Sequence, residues 1–175
     1  MIENISRILD DAKKNDSVIS IFTNRNFPEK CCVGFVGCHD RGVIIKHITP
    51  VGLYDGFYWR RVCDIYRIDI DGKYESDLKR LYILQKQKHD LLNSLCDCEN
   101  TLTMLLKYAS EKQKIAEICI DESETQEDII GTICYESNKT YLKINTINNF
   151  IQQTGTTFIN ISDIIKLNVD AEDNR

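Results

Sequence analysis

"VGFVGCHDRGVIIKHI" (Val33–Ile48) and "IGTICYESNKTYLKIN" (Ile130–Asn145) share almost no identical residues, yet they carry one pattern. Shifting the chain by 97 positions places Gly34 on Gly131, Val36 on Ile133, Ile45 on Leu142 and Lys46 on Lys143. Upstream, Ile21 meets Ile118, while Cys32 and Val33 meet Ile129 and Ile130. Earlier still, Ile5, Ile8, Leu9 and Ala12 fall on Leu102, Leu105, Leu106 and Ala109. The match needs no gap from about Glu3 to Ile48. Past two extra residues in the second copy, "DIYRIDID" (Asp64–Asp71) meets "DIIKLNVD" (Asp163–Asp170). Apolar matches alone arise easily by chance. A shared order of helix pattern, strand patterns and closing Asp-Ile motif does not, so the chain is expected to be internally repeated.

Each copy reads the same way. Ile5, Ile8, Leu9 and Ala12 stand at i, i+3, i+4 and i+7, one face of an amphipathic helix. Short β-rich runs follow: "VISIFT", "CCVGFVGC", "GVIIKHI", "GFYWRRV" and "DIYRIDI". The segments between them, "NRNFPEK", "HDRG", "TPVGLYDG" and "DGK", carry turn chemistry. One helix and five short strands form a small barrel, and closure removes sticky strand edges. The fold class expected is therefore mainly β with α. Residues 1–72 form a helix plus the first barrel, and 100–171 a helix plus the second. Residues 73–99 form a helical connector, and 172–175 a frayed tail. Within the connector, Ser76 or Asp77 caps a helix running from about 77 to 96. Leu78, Leu81, Leu84 or Gln85, Lys88, Leu91, Leu92 and Leu95 make its apolar face. Asp97 or Asn100 caps the next helix, and the pair forms either a hairpin or one kinked rod.

A helix followed by five strands, with glycine in the second strand, resembles the Sm-like fold, an SH3-like small barrel. Gly34, Val36 and Asp40 match that family's first motif, and Arg61, Ile65 and Ile68 match part of its second. Val43 and Val62 stand where the family has Asn and Gly, and Ser137 lies opposite Asp40 in the second copy. The resemblance implies two Sm-like barrels, assembly through strand edges, and RNA binding.

Composition narrows the function. In 175 residues, 42% are hydrophobic and two are proline, so the chain should fold. No apolar run reaches the roughly 18 residues needed to cross a membrane, and the start has no secretory pattern, so a cytoplasmic protein is expected. Eight cysteines in such a chain read mainly as small buried hydrophobes. Cys31, Cys32, Cys38, His39 and Cys63, and likewise His89, Cys96 and Cys98, lack the paired spacing of zinc ligands. No metal or cofactor is expected. There is no phosphate-binding loop, dinucleotide fingerprint, nucleophile elbow or zinc-protease motif. Asp40 beside His39 reads as turn chemistry, and Asp64 and Asp163 as turn caps.

The densest local feature is "GLYDGFYWRR", which gathers Tyr54, Phe57, Tyr58, Trp59, Arg60 and Arg61. The second copy has the bland "NNFIQQTGTTF" in its place. Aromatic and arginine side chains dominate protein hot spots and also hold bases and phosphates. As a plain hairpin strand, Phe57 and Trp59 would face inward and Tyr58 and Arg60 outward. Residues 1–72 carry no net charge, 73–114 carry +2 and 115–175 carry −7. Nucleic-acid affinity draws on phosphate neutralisation. RNA could therefore bind only at a first-copy patch such as Lys46, His47, Arg60, Arg61 and Arg67. The expectation is a non-catalytic adaptor whose first unit binds a protein partner or another copy of itself, forming a homo-oligomer. An RNA-binding Sm-like regulator is the alternative. Tyr54–Arg61, with Asp40 and Lys46, are the expected binding residues.

Overall fold

A computed structural model describes residues 2–86, 100–121, 123, 127–148 and 150–170. Its elements run α1 (Ile2–Lys14), β1 (Val18–Phe22), β2 (Cys32–His39), β3 (Gly42–Ile48), β4 (Tyr54–Arg61), β5 (Arg67–Ile70) and α2 (Lys73–Leu84). They continue with α3 (Thr101–Glu111), β6 (Ile115–Cys119), β7 (Ile129–Cys134), β8 (Tyr141–Ile147), β9 (Gln153–Asn160) and β10 (Lys166–Val169). The connector helix starts earlier than its sequence cap suggests, directly after Gly72. The expected remainder of that helix, and the choice between hairpin and rod, lie outside the described residues. Asn100 is the cap of α3: its side chain accepts from the Leu102 and Thr103 amides at 2.8 and 3.3 Å.

The ten strands form one antiparallel sheet in the order β5-β1-β2-β3-β4-β10-β6-β7-β8-β9. With three helices it makes the mixture of β and α expected, but the strand pairings among the described residues do not close each half into a barrel of its own. The outer edge of β4 bonds to β10 of the second half, not to β5 of its own half. Consequently β5 and β9 remain as the two ends of an open sheet.

The halves repeat one another bond for bond. Tyr66 N–H donates to the Phe22 carbonyl as Ile165 N–H does to Cys119, at 3.1 and 2.9 Å. Val62 N–H reaches the Arg41 carbonyl as Ile161 N–H reaches Thr140, both at 2.9 Å. Asp16 and Gln113 share a left-handed φ of 50° and 51°, and Asp71 and Asp170 one of 58° and 64°. The pairings also move the gap. Gly34 faces His47 and Gly131 faces Thr146, so the two extra residues lie in the β2–β3 turn and not after Ile48. Ile45 therefore corresponds to Ile144 and Lys46 to Asn145. A slip of two residues keeps every side chain on the same face, so the apolar pattern conceals it.

Each half has its own core. Leu9, Ala12, Ile19, Ile21, Val43 and Ile45 centre the first. Leu105, Leu106, Ile118, Ile133, Ile144 and Leu167 centre the second, which also takes in Ile44, Phe57 and Trp59 from the first half. Helix α2 covers the outer face of the first half, where Leu78 packs among Val18, Val33, Phe35 and Ile48. Its buried Glu75 accepts from the Ser20 hydroxyl at 2.5 Å.

Candidate binding surfaces

Strand β4 is largely buried on both faces. Phe57, Trp59, Arg60 and Asp55 are at most 8% exposed, while Tyr54, Tyr58 and Arg61 are half-buried. The Trp59 indole N–H donates to the Thr101 hydroxyl at 3.0 Å, and that hydroxyl donates to Asp40 at 2.6 Å. The other Asp40 oxygen accepts from the Thr101 amide at 3.1 Å, so a first-half carboxylate holds the start of a second-half helix. Phe57 meets Tyr108 edge-on, ring centroids 5.6 Å apart. Arg60 donates to Asn168 at 2.8 Å, and Asn168 donates to Glu117 at 2.6 Å. The contact surface expected at Tyr54–Arg61 is thus occupied from within the chain. Phe57 and Trp59 face the second core, Tyr58 packs on the first, and Arg60 is buried rather than outward.

Tyr58 belongs to a small polar cluster. Its hydroxyl donates to Asp55 at 3.1 Å, His47 Nδ1 lies 3.1 Å from the same oxygen, and the Tyr58 and His47 rings stack at 3.9 Å. Burial, with the Asp55 charge beside it, holds the Tyr58 phenol far above its usual pKa. That is the reverse of an activated phenolate. In the second half Thr146 and Thr154, 3.1 Å apart, take the positions of His47 and Asp55. Lys46 is half-buried, and burial lowers its pKa.

A cleft of about 710 Å³ opens where β10 joins the first half. Arg25, Arg60, Arg61, Arg67 and Lys166 line it, with Tyr66 on its wall. Three of these, Arg60, Arg61 and Arg67, are in the patch read from the sequence, whereas Lys46 and His47 do not line the cleft. Arg25 sits in a turn and Lys166 comes from the other copy, so only the strand junction reveals them. The charges are partly answered: Arg61 pairs with Asp64 at 2.6 Å, Arg67 with Asp69 at 2.5 Å, and Arg25 lies over Tyr66 at 4.6 Å.

Among the described residues, no three His, Cys, Asp or Glu side chains gather to hold a metal. Cys32 and Cys119 are buried, and Cys63 is exposed, its thiol pKa raised by burial and by Asp64. Cys96, Cys98 and His89 lie outside the described residues. No helix among the described residues is long and apolar enough to cross a membrane.

The far end of the sheet differs from the junction. Tyr141 and Phe158 are 60% and 65% exposed, around a cleft of about 390 Å³ that Cys134, Lys139 and Lys143 also line. Nothing in the bland sequence of β9 marks this end. Comparison with protein-family models, with curated proteins and with solved structures gave no match to this chain.

Proposed function

We propose that this chain is a non-catalytic, cytoplasmic binding protein built from two Sm-like units, and that it binds other protein chains by strand addition. One observation carries the reading: the two halves, with the same strand order, are themselves joined by adding β10 to the edge of β4. A sheet edge and a docked helix are what this fold offers to a partner. The described polar clusters are internally paired and offer no activated nucleophile. The cationic cleft supports a second reading, an RNA-binding protein whose affinity comes from Arg25, Arg67 and Lys166.

Absorbance and salt dependence separate the two. Protein purified at low salt is expected to show a clean protein spectrum and to stay associated as salt rises. A nucleic-acid spectrum that disappears after a high-salt wash would favour RNA. In that case Arg25→Ala and Arg67→Ala would each lower the salt slope of binding by about one.

A further inference from the structure

The repeat supplies a control for the cationic cleft, because its second copy shows which lining residues the fold needs. The shared backbone bonds set Phe22 on Cys119, Val62 on Ile161 and Tyr66 on Ile165. Carried along the chain, they place Asp121 at the position of Asn24 and Asn160 at that of Arg61, and the sequence aligns Glu122 with Arg25. Both halves nonetheless keep one strand order. Asn160 even caps the equivalent short turn, accepting from the Ser162 amide at 3.2 Å, so that turn needs no arginine. Arg60 serves the junction through Asn168, but Arg25, Arg61 and Tyr66 are an addition to the first half and not a requirement of the fold. We propose that these residues, with Arg67 and Lys166, form a binding site for a small organic phosphate monoester, a doubly charged head on an apolar body.

Size, charge and lining choose the ligand. A space of about 710 Å³ falls in the range of small-molecule sites, roughly 300–1,000 Å³. Among the described residues, Asp64 is the only acid lining it against five cations, with Asp69 answering Arg67 from beside the cleft. That surplus suits a dianion better than a single carboxylate. Guanidinium forks match phosphate oxygens in pairs. Several are held in place before any ligand arrives: Arg60 by the Trp59 carbonyl and Asn168, both at 2.8 Å, Arg61 by Asp64, and Arg25 over the Tyr66 ring. Ile5, Ile8, Ile65 and Ile68 supply the apolar wall, and Ile8 is 38% exposed there. A polymer backbone fits less well. The adjoining hollow of about 290 Å³ shares Arg60 and Lys166 but adds Glu117 and Asp128 against a single Lys30, and the chain as a whole carries −5. The cationic surface therefore ends in acid on that side. Those acids repel a phosphate chain that continues past them, whereas a compact phosphate stops short.

The site stands apart from strand addition, since no second chain takes part in it. Calorimetric titration of the whole chain with phenyl phosphate tests it, above the second phosphate pKa of about 6. Phenyl phosphate is expected to bind more tightly than inorganic phosphate, which lacks the apolar body, and than benzoate, which has one charge. Arg25→Glu copies the second half into the first and should weaken phenyl phosphate about tenfold, the loss of one charge-assisted hydrogen bond. Ile8→Ser should weaken phenyl phosphate and leave inorganic phosphate unchanged. Circular dichroism checks folding, and Arg67→Ala, also at an exposed position, serves as the second cationic variant should Arg25→Glu not fold. No heat of binding with phenyl phosphate, or binding that the arginine variants leave unchanged, would overturn the site. A short single-stranded RNA that binds more tightly than phenyl phosphate and displaces it would overturn it as well, in favour of the RNA reading. Failure of strand addition, read from the absence of any associated chain, would leave the phosphate result standing.

Discussion

Gly34 and Gly131 each let two strands approach. A Cβ on Gly34 would stand 2.0 Å from the Lys46 carbonyl oxygen, and one on Gly131 2.2 Å from that of Asn145. Backbone on both sides cannot yield as a side chain can, so alanine at either position should cost about 3 kcal/mol, at the upper end of overpacking. Urea unfolding of Gly131→Ala measures it. The glycines were legible from the sequence as a repeated pair; the carbonyl that demands them was not, because the two-residue slip hid which residue lies opposite. Alkaline pH tests two other residues. Burial pushes the Cys32 thiol from 9.0 up to about 11, and Tyr58 is raised from 10.0. Both groups keep their protons longer in the folded chain than in the unfolded one. Stability is therefore full below pH 9 and falls as pH rises through the raised values, by about 1.4 kcal/mol per pH unit for each proton linked. Denaturant titrations from pH 8 to 11 should show that limb, and Tyr58→Phe should flatten its part above pH 10.

At the scale of the element, β4 explains why the aromatic cluster was visible and its purpose was not. A strand rich in Phe, Tyr, Trp and Arg announces coverage on both faces, but a sequence does not say whether the cover is another molecule or another part of the chain. The bland β9 was legible as a contrast and uninformative about its exposure. Asp40 shows the same limit. Its turn role is present, since it accepts from the Gly42 amide at 2.8 Å, but it also anchors α3 across the junction. Thr101→Val should test that joint. It leaves the buried Trp59 N–H unanswered and removes a donor to Asp40, at a cost of about 1–3 kcal/mol. Trp59 is the single tryptophan, so its fluorescence reports the same site. A redder emission and a lower denaturation midpoint are expected together.

For the whole molecule, the sequence made the repeat legible: two helices, two sets of five strands, and a connector between. Closure of each half was not legible. Periodicity records which face of a strand is buried, but not which strand takes its edge, and β4 takes β10. That choice joins the two halves in one sheet with unlike ends, β5 and β9. The central claim is that β10 fills the edge of β4 and so makes the two halves one sheet. Amide hydrogen exchange on the native chain tests it directly, with β3, paired on both sides, as an internal standard. Successive amides of an antiparallel strand point to opposite neighbours, so the account expects the β4 amides directed at β10 to exchange as slowly as those of β3. Fast exchange at those alternate β4 amides would contradict it.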